Sequence, residues 1–202
     1  GDYLIYCAGP MGKNNILEGL KKGCVIGGGV GCAIAYTIAK ALFEQKTVVH
    51  SIIGFRTKEL VFLEDEFKAI SNESYLVTDD GTYQSKGRVT DILKDLLEKG
   101  EVYDEIYAIG PIPMMKFVSE LTKKYQIKTI VSMNPVMVDG TGMCGGCRVS
   151  VGGEMKFACV DGPEFDGHQV DFDLAISRNK MYESFEREKY LEVCNSLKEE
   201  SK

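Results

Sequence analysis

Between Cys24 and Met133 the chain repeats one pattern: a short apolar, β-branched run, a turn rich in glycine or proline, then a longer segment with apolar residues at helical spacing. This feature constrains the fold more than any other. Parallel strands cannot be joined by a tight hairpin and need a crossover, usually a helix. Strands alternating with helices of this length therefore imply βαβ units on a parallel sheet. Cys24-Val25-Ile26 opens the series as a strand ending in Gly27-Gly28-Gly29, with a helix over about 32–45. Strands follow at 47–55, 74–78, 102–109 and 128–133, with helices at 59–70, 89–99 and 114–125 between them. The expectation is an α/β fold with a five-stranded, parallel, doubly wound sheet.

At Pro135 the pattern changes. Arg148-Val149-Ser150-Val151 and Met155-Lys156-Phe157 read as a small hairpin turned at Gly152-Gly153. Residues 182–197 read as a charged amphipathic helix. Within the glycine-rich segment, Asp139, Cys144, Cys147 and Cys159 are spaced D-x4-C-x2-C-x11-C. One established spacing for a [2Fe–2S] cluster is C-x4-C-x2-C…C. The last three cysteines fit it, and an aspartate occupies the first position. Glycines at 140, 142, 145 and 146 let the backbone wrap tightly and leave amides free to face sulfur. A structural zinc site would normally show two short-spaced ligand pairs, and this chain has one pair and a lone cysteine. Zinc and unligated thiols stay open as the rival accounts. The segment reads as a compact metal-binding module whose core is largely the cluster.

Composition narrows the function classes. A net charge of −6 argues against nucleic acid or an anionic membrane as the main partner. No apolar run reaches the roughly 18 residues of a membrane span, and no signal peptide is visible. Of seven cysteines, three sit in the glycine-rich segment, a pattern of metal chemistry in a reducing compartment, hence a cytoplasmic protein, rather than of a disulfide framework. Cys7, Cys24, Cys32 and Cys194 are scattered and read as ordinary thiols.

The glycine turn Gly27-Gly28-Gly29-Val30-Gly31 stands where a phosphate meets helix N-terminal amides. It is neither the G-x-G-x-x-G fingerprint nor a P-loop; alone, it is equally a packing turn. Gly28, Gly29, Val30 and Gly31 are its candidate ligand contacts. The loop Gly54-Phe55-Arg56-Thr57-Lys58 follows the second strand, where an adenosine ribose is read. It offers no acid; Arg56 and Lys58 could accept a 2′-phosphate or stack on adenine, with Thr57 beside them, or simply form a solvated basic loop. After the third strand, Asp79 could bond ribose hydroxyls, whereas Asp80 reads better as an Asp-Gly turn residue. After the fourth, Gly110-Pro111-Ile112-Pro113-Met114-Met115 offers a rigid apolar wall from Gly110, Pro111 and Met114 that suits a nicotinamide face. The plainer account of that loop is proline opening a helix and methionine filling core. His50 reads as core or sheet edge, and His168 as a structural hydrogen-bonding residue near the cluster loop. No nucleophile triad is visible.

Assembled, these loops resemble the small (alpha) subunit of NADH-dependent ferredoxin:NADP oxidoreductase. That family is similar to the beta subunit of archaeal sulfide dehydrogenase and, more distantly, to the electron-transfer subunit of dihydroorotate dehydrogenase B. The segment from Asn134 to Val149 carries the resemblance most specifically, completed by Phe157 to His168 and by the four nucleotide loops. It implies a ferredoxin-reductase-like fold with an FAD barrel, a nucleotide domain and a [2Fe–2S] module. The ligand set of one Asp and three Cys carries over onto Asp139, Cys144, Cys147 and Cys159. The dihydroorotate dehydrogenase subunit uses four Cys, so Asp139 favours the first family. As a harder donor than thiolate, Asp139 is expected to hold one iron ferric and shift the cluster potential. Ile109 departs from the Cys that many ferredoxin reductases place before the Gly-Pro pair.

The expected organisation is a barrel remnant over 1–14, an NAD(P)-binding domain over 15–133, the cluster module over 134–180 and a C-terminal helix over 181–202. The family's flavin-binding strand motif is missing, so the chain reads as a fragment, inactive alone, with FAD bound only by the full-length protein. The expected function is an electron-transfer subunit of a bifurcating oxidoreductase, relaying electrons between the cluster, FAD and NAD(H) or NADP(H). Its expected partners are a large flavin/iron–sulfur subunit in a heterodimer and, indirectly, ferredoxin. The alternatives are the dihydroorotate dehydrogenase B subunit and a zinc-stabilised, non-catalytic binding module.

Overall fold

The computed structural model describes residues 3–7, 9–13 and 17–200, with side chains to 194. Of the expected barrel remnant, residues 1, 2, 8 and 14 lie outside the described residues, as do 15–16 of the expected nucleotide domain and 201–202 of the expected helix.

The first half is built as the alternation implies. Strand β1 (Lys22–Gly28) leads into helix α1 (Gly31–Glu44), then β2 (Val48–Phe55), α2 (Glu64–Ile70), β3 (Glu73–Thr78), a short β4 (Ser85–Lys86), α3 (Val89–Glu98), β5 (Glu105–Ile109), α4 (Ile112–Lys124) and β6 (Lys128–Ser132). The second half holds β7 (Arg148–Val151), β8 (Glu154–Phe157), α5 (Ala158–Asp161), β9 (Glu164–Asp166), α6 (Phe172–Asn179) and α7 (Glu183–Glu200). The main sheet runs β4-β3-β2-β1-β5-β6-β9. The five expected strands are its parallel centre, and two strands not foreseen form its edges. β4 adds two parallel pairs to β3, and β9 closes the far edge antiparallel to β6. These are short runs without the alternating apolar signature that marks a strand in sequence. The hairpin of β7 and β8 forms a separate sheet turned at Gly152-Gly153, both at positive φ.

Strand pleating divides the core in two. Cys24, Ile26, Ile52, Ile106, Ala108 and Val131 face α3 and α4. Val25, Val49, Ile53, Leu76 and Tyr107 face α1 and α2. Each fully buried aliphatic side chain contributes about 1.5–3 kcal/mol of burial free energy. Helix α1 fits because Cys32, Ala35, Ile38, Ala39 and Leu42 recur every three or four residues and are all buried.

The helix expected over 59–70 is shorter. Lys58–Leu60 forms a separate 3-10 turn, and Leu63 takes φ +60, which no right-handed helix tolerates, so α2 starts at Glu64. A second correction concerns the glycine-rich segment. Its core is not mainly its own: Cys147, Val149, Ala158, Cys159, Phe165 and Phe172 belong to the same buried cluster as Met115 and Val118 of α4. Helix α6, absent from the sequence reading, packs on α4 and helps join the two parts; Asp171 caps it, accepting from the Leu174 amide at 2.9 Å. No helix among the described residues is long and apolar enough to cross a membrane.

Candidate functional site

The sheet order reverses between β1 and β5. The chain leaves β1 toward β2 and β3, and returns on the other side through β5 and β6. Ligands of open α/β sheets bind where such loops diverge. Both loops here come together closely. A β-carbon on Gly28 would lie 2.5 Å from the Met114 sulfur and 3.1 Å from Pro111 Cδ. One on Gly31 would lie 2.5 Å from the Ile109 carbonyl oxygen and 2.8 Å from the Gly110 Cα, and one on Gly110 would lie 2.9 Å from Met114 Cε. Gly28, Gly31, Gly110, Pro111 and Met114 are thus one packed unit. Gly29 differs: at φ +54, its β-carbon position has no atom within 4 Å. The turn therefore mixes both accounts, with three glycines set by close approach and one facing open space.

Val30 is the N-cap of α1 and is largely exposed. No side chain caps this end, and the first turn holds no acid. The positive end of α1 is open to an anion. The loops after β2 and β3 meet beside it: the Asp79 amide donates to the Phe55 carbonyl at 3.0 Å and the Asp80 amide to the Arg56 carbonyl at 3.3 Å. Asp80 is spent on the turn, accepting from the Thr82 amide and hydroxyl at 2.9 and 2.8 Å. These bonds, the Thr82 amide foremost, hold its carboxyl below the ordinary aspartate range. Lys58 lies over the Tyr83 ring, 5.3 Å from its centroid. Thr57 stands at the N-cap position of the 3-10 turn in extended conformation, and its side chain makes no cap bond there. Arg56 is exposed and makes no ion pair with the described acids.

In the cysteine segment, the Cys147 thiol lies 3.2 Å from the Cys159 sulfur, both buried. That is far beyond the roughly 2.05 Å of a disulfide. The Cys147 thiol raises the Cys159 pKa above that of an ordinary cysteine. Cys144 is exposed, and the Gly146 amide donates to its sulfur at 3.3 Å. Asp139 folds onto its own loop. Its Oδ1 accepts from the Thr141 amide at 2.9 Å, and its Oδ2 from the Thr141 hydroxyl at 3.2 Å and the Cys144 amide at 3.0 Å. The Thr141 amide leads the bonds that keep this carboxyl below its usual range. Among the described residues, no three His, Cys, Asp or Glu side chains converge to hold one ion. The four candidates instead fall into two pairs, Cys147 with Cys159 and Asp139 with Cys144. A [2Fe–2S] centre takes two ligands per iron, so this donor set fits two irons better than one tetrahedral zinc.

Three features escaped the sequence reading. Arg178 of α6 reaches the Gly146 carbonyl at 3.5 Å, from 32 positions away. Met11 lies where a β-carbon on Gly140 would meet its sulfur at 2.8 Å, and the Lys13 amide donates to the Gly162 carbonyl at 2.6 Å, so the N-terminal arm crosses this segment. No local pattern announces contacts of that range. His168, expected as a structural hydrogen-bonding residue, is one: its Nε2 pairs with the Thr122 hydroxyl of α4 at 3.0 Å. His50 is buried, sharing a 3.0 Å hydrogen bond with the Tyr103 hydroxyl.

Comparison with known proteins agrees with this layout. Residues 25–120 match the oxidoreductase NAD-binding domain, and residues 134–171 match the iron–sulfur cluster binding domain of dihydroorotate dehydrogenase B. A Clostridium beijerinckii protein, described only as an uncharacterized protein in the adh 3′ region, is 47% identical over 201 residues, covering 96% of this chain and 68% of its own length. The dihydroorotate dehydrogenase B (NAD(+)) electron transfer subunit homolog of Thermotoga maritima is 45% identical over 190 residues, covering 94% and 67%. A solved chain from a study of NADH-dependent reduced ferredoxin-NADP oxidoreductase superposes with a TM-score of 0.86 at 42% identity, over 96% of this chain and 70% of that one. The chain thus spans about two thirds of the length of these relatives.

Proposed function

We propose, for a chain that belongs to the family of the dihydroorotate dehydrogenase B electron-transfer subunit and its homologues, that it is the electron-relay subunit of a flavin and iron–sulfur oxidoreductase. The observation that carries this reading is the Cys147–Cys159 pair, held in one continuous core with the helices of the nucleotide sheet. Asp139, Cys144, Cys147 and Cys159 would hold a [2Fe–2S] cluster, which when bound supplies transfer of single electrons, while hydride exchange belongs to NAD(P)(H) and to FAD in the full-length protein.

The chain's own residues bind and orient. The uncapped positive end of α1, beside the turn at Gly29 whose β-carbon side is open, takes the dinucleotide pyrophosphate. Arg56, free of acidic partners among the described residues, with Thr57 and Asp79 beside it, faces the adenosine end. The packed Gly110-Pro111-Met114 unit forms the apolar wall that stops the nicotinamide ring from tilting. Burial of Cys147 and Cys159 keeps water from that side of the cluster loop, and exposure of Cys144 leaves the other side accessible to a redox partner.

Within the family, the bifurcating ferredoxin:NAD(P) oxidoreductase type is the reading we favour over the dihydroorotate dehydrogenase subunit. Asp139 in the first ligand position and the 0.86 TM-score support it. The partner would be a large flavin/iron–sulfur subunit. Purifying the native complex without air tests both levels. Iron with stoichiometric acid-labile sulfide, a co-purifying large subunit and NADH-dependent reduction of NADP+ by reduced ferredoxin, or its reverse in which NADPH reduces ferredoxin and NAD+ together, are expected. Dihydroorotate oxidation by the complex would move the chain to the other branch. Zinc without sulfide would make it a binding module.

A further inference from the structure

We infer that Thr141 is a positioning residue for the Asp139 carboxylate: with the Cys144 amide its hydroxyl occupies Oδ2, so that Oδ1, which takes a single donor, is the oxygen left to bind metal. A carboxylate offers about two lone-pair sites on each oxygen. Oδ2 receives two donors, the Thr141 hydroxyl at 3.2 Å and the Cys144 amide at 3.0 Å. Oδ1 receives one, the Thr141 amide at 2.9 Å. One residue thus touches both oxygens, and the remaining donor comes from Cys144, itself a ligand in the proposed set. The loop is shaped for this contact. Gly140 and Gly142, on either side of Thr141, stand at φ +79 and +85, in the left-handed region that favours glycine. Their faces are closed by Met11 and Val160, whose side-chain atoms lie 2.8 and 2.9 Å from the two β-carbon positions.

The inference rests on the cluster reading above and adds a chemical consequence to it. A hydroxyl donating to the carboxylate drains negative charge from it and makes it a weaker donor to ferric iron. Thr141→Val keeps the shape and the amide but removes the hydroxyl. The carboxylate then favours the oxidised state more strongly, and the midpoint potential falls. Thr141→Ser keeps the hydroxyl.

The test uses the full chain purified without air, in wild-type, Thr141→Val and Thr141→Ser forms. Iron, sulfide, thermal midpoint, the paramagnetic signal after dithionite and the midpoint potential are measured on each. The expected result is a wild-type iron and sulfide content in Thr141→Val, an altered paramagnetic signal, and an oxidised-to-reduced ratio at fixed potential raised by up to about tenfold, which for one electron is about 59 mV. Thr141→Ser should match wild type. If Thr141→Val stays folded but takes up no iron while Thr141→Ser loads fully, the positioning role also holds. An unchanged potential and signal in Thr141→Val, or a Thr141→Ser that behaves like it, overturns the inference while leaving the cluster reading intact. A wild-type protein without iron and sulfide overturns both, and that result is read before any variant is compared.

Discussion

The sulfurs of Cys147 and Cys159 stand 3.2 Å apart in the interior, though the residues are twelve positions apart in the chain. The hairpin of β7 and β8 makes this possible: Arg148 pairs with Phe157, and the Ala158 amide donates to the Cys147 carbonyl at 3.0 Å, so the two cysteines flank the open end of one ladder. Substituting either, as Cys147→Ser or Cys159→Ser, should abolish iron and sulfide in protein purified without air. Cys24→Ala, equally buried but in the central sheet, should leave both at wild-type levels. Colorimetric iron and sulfide assays on the three variants check this.

Because these cysteines lie in one core with Met115 and Val118, metal loss should be felt beyond the loop. A metal that binds only the folded state stabilises it by mass action. Chelation should therefore lower the thermal midpoint of the whole chain rather than melt an independent module. A differential scanning trace with one transition, shifted down on chelation, is expected; a separate low-temperature transition would contradict the shared core.

The glycine turn should respond to alanine in two distinct ways. Gly31→Ala drives a β-carbon into the backbone of Ile109 and Gly110, which cannot swing aside, and should cost about 3 kcal/mol. Gly29→Ala meets no atom but keeps a left-handed φ, so its cost should be about 1 kcal/mol. Its main effect should be weaker dinucleotide binding. Urea unfolding together with calorimetric titration of NADH separates the two.

Arg56→Ala should leave the thermal midpoint unchanged, since the side chain is exposed and makes no ion pair with the described acids. Loss of one charged contact to the dinucleotide should weaken binding about tenfold, equivalent to about 1.4 kcal/mol. The loss should be larger for NADPH than for NADH if the guanidinium meets a 2′-phosphate. Dissociation constants for both dinucleotides, measured on wild type and variant, decide the matter.

His50 sets an acid limit on stability. Burial, helped by the Lys22 charge, pushes its pKa below the ordinary histidine value, against the opposing pull of Glu73 and Glu101. The unfolded chain then binds the proton more readily than the folded one. Its contribution is fully present above about pH 6.5, the unperturbed value, and is lost as pH falls through the lower folded value. His50→Gln should flatten this part of the stability profile, read by urea unfolding at stepped pH.

Much of this molecule is legible from local pattern. The order of strands and helices, the hairpin turned at Gly152-Gly153 and the ligand spacing from Asp139 to Cys159 are all written within short windows, because periodicity, turn chemistry and loop length act over a few residues. The break at Leu63 and the edge strands β4 and β9 were not, since a single left-handed residue or a two- or three-residue strand leaves no periodic trace.

Sequence alone determined that this chain would be a doubly wound sheet followed by a cysteine segment with four candidate ligands. Only the tertiary structure decided that Gly29 is open while Gly28, Gly31 and Gly110 are wedged, that His168 belongs to Thr122, and that Asp139 is gripped by Thr141 and Cys144. The physical reason is range. Backbone preference is settled between neighbours, but whether a β-carbon position or a carboxylate lone pair is free depends on atoms that only the folded chain brings beside it.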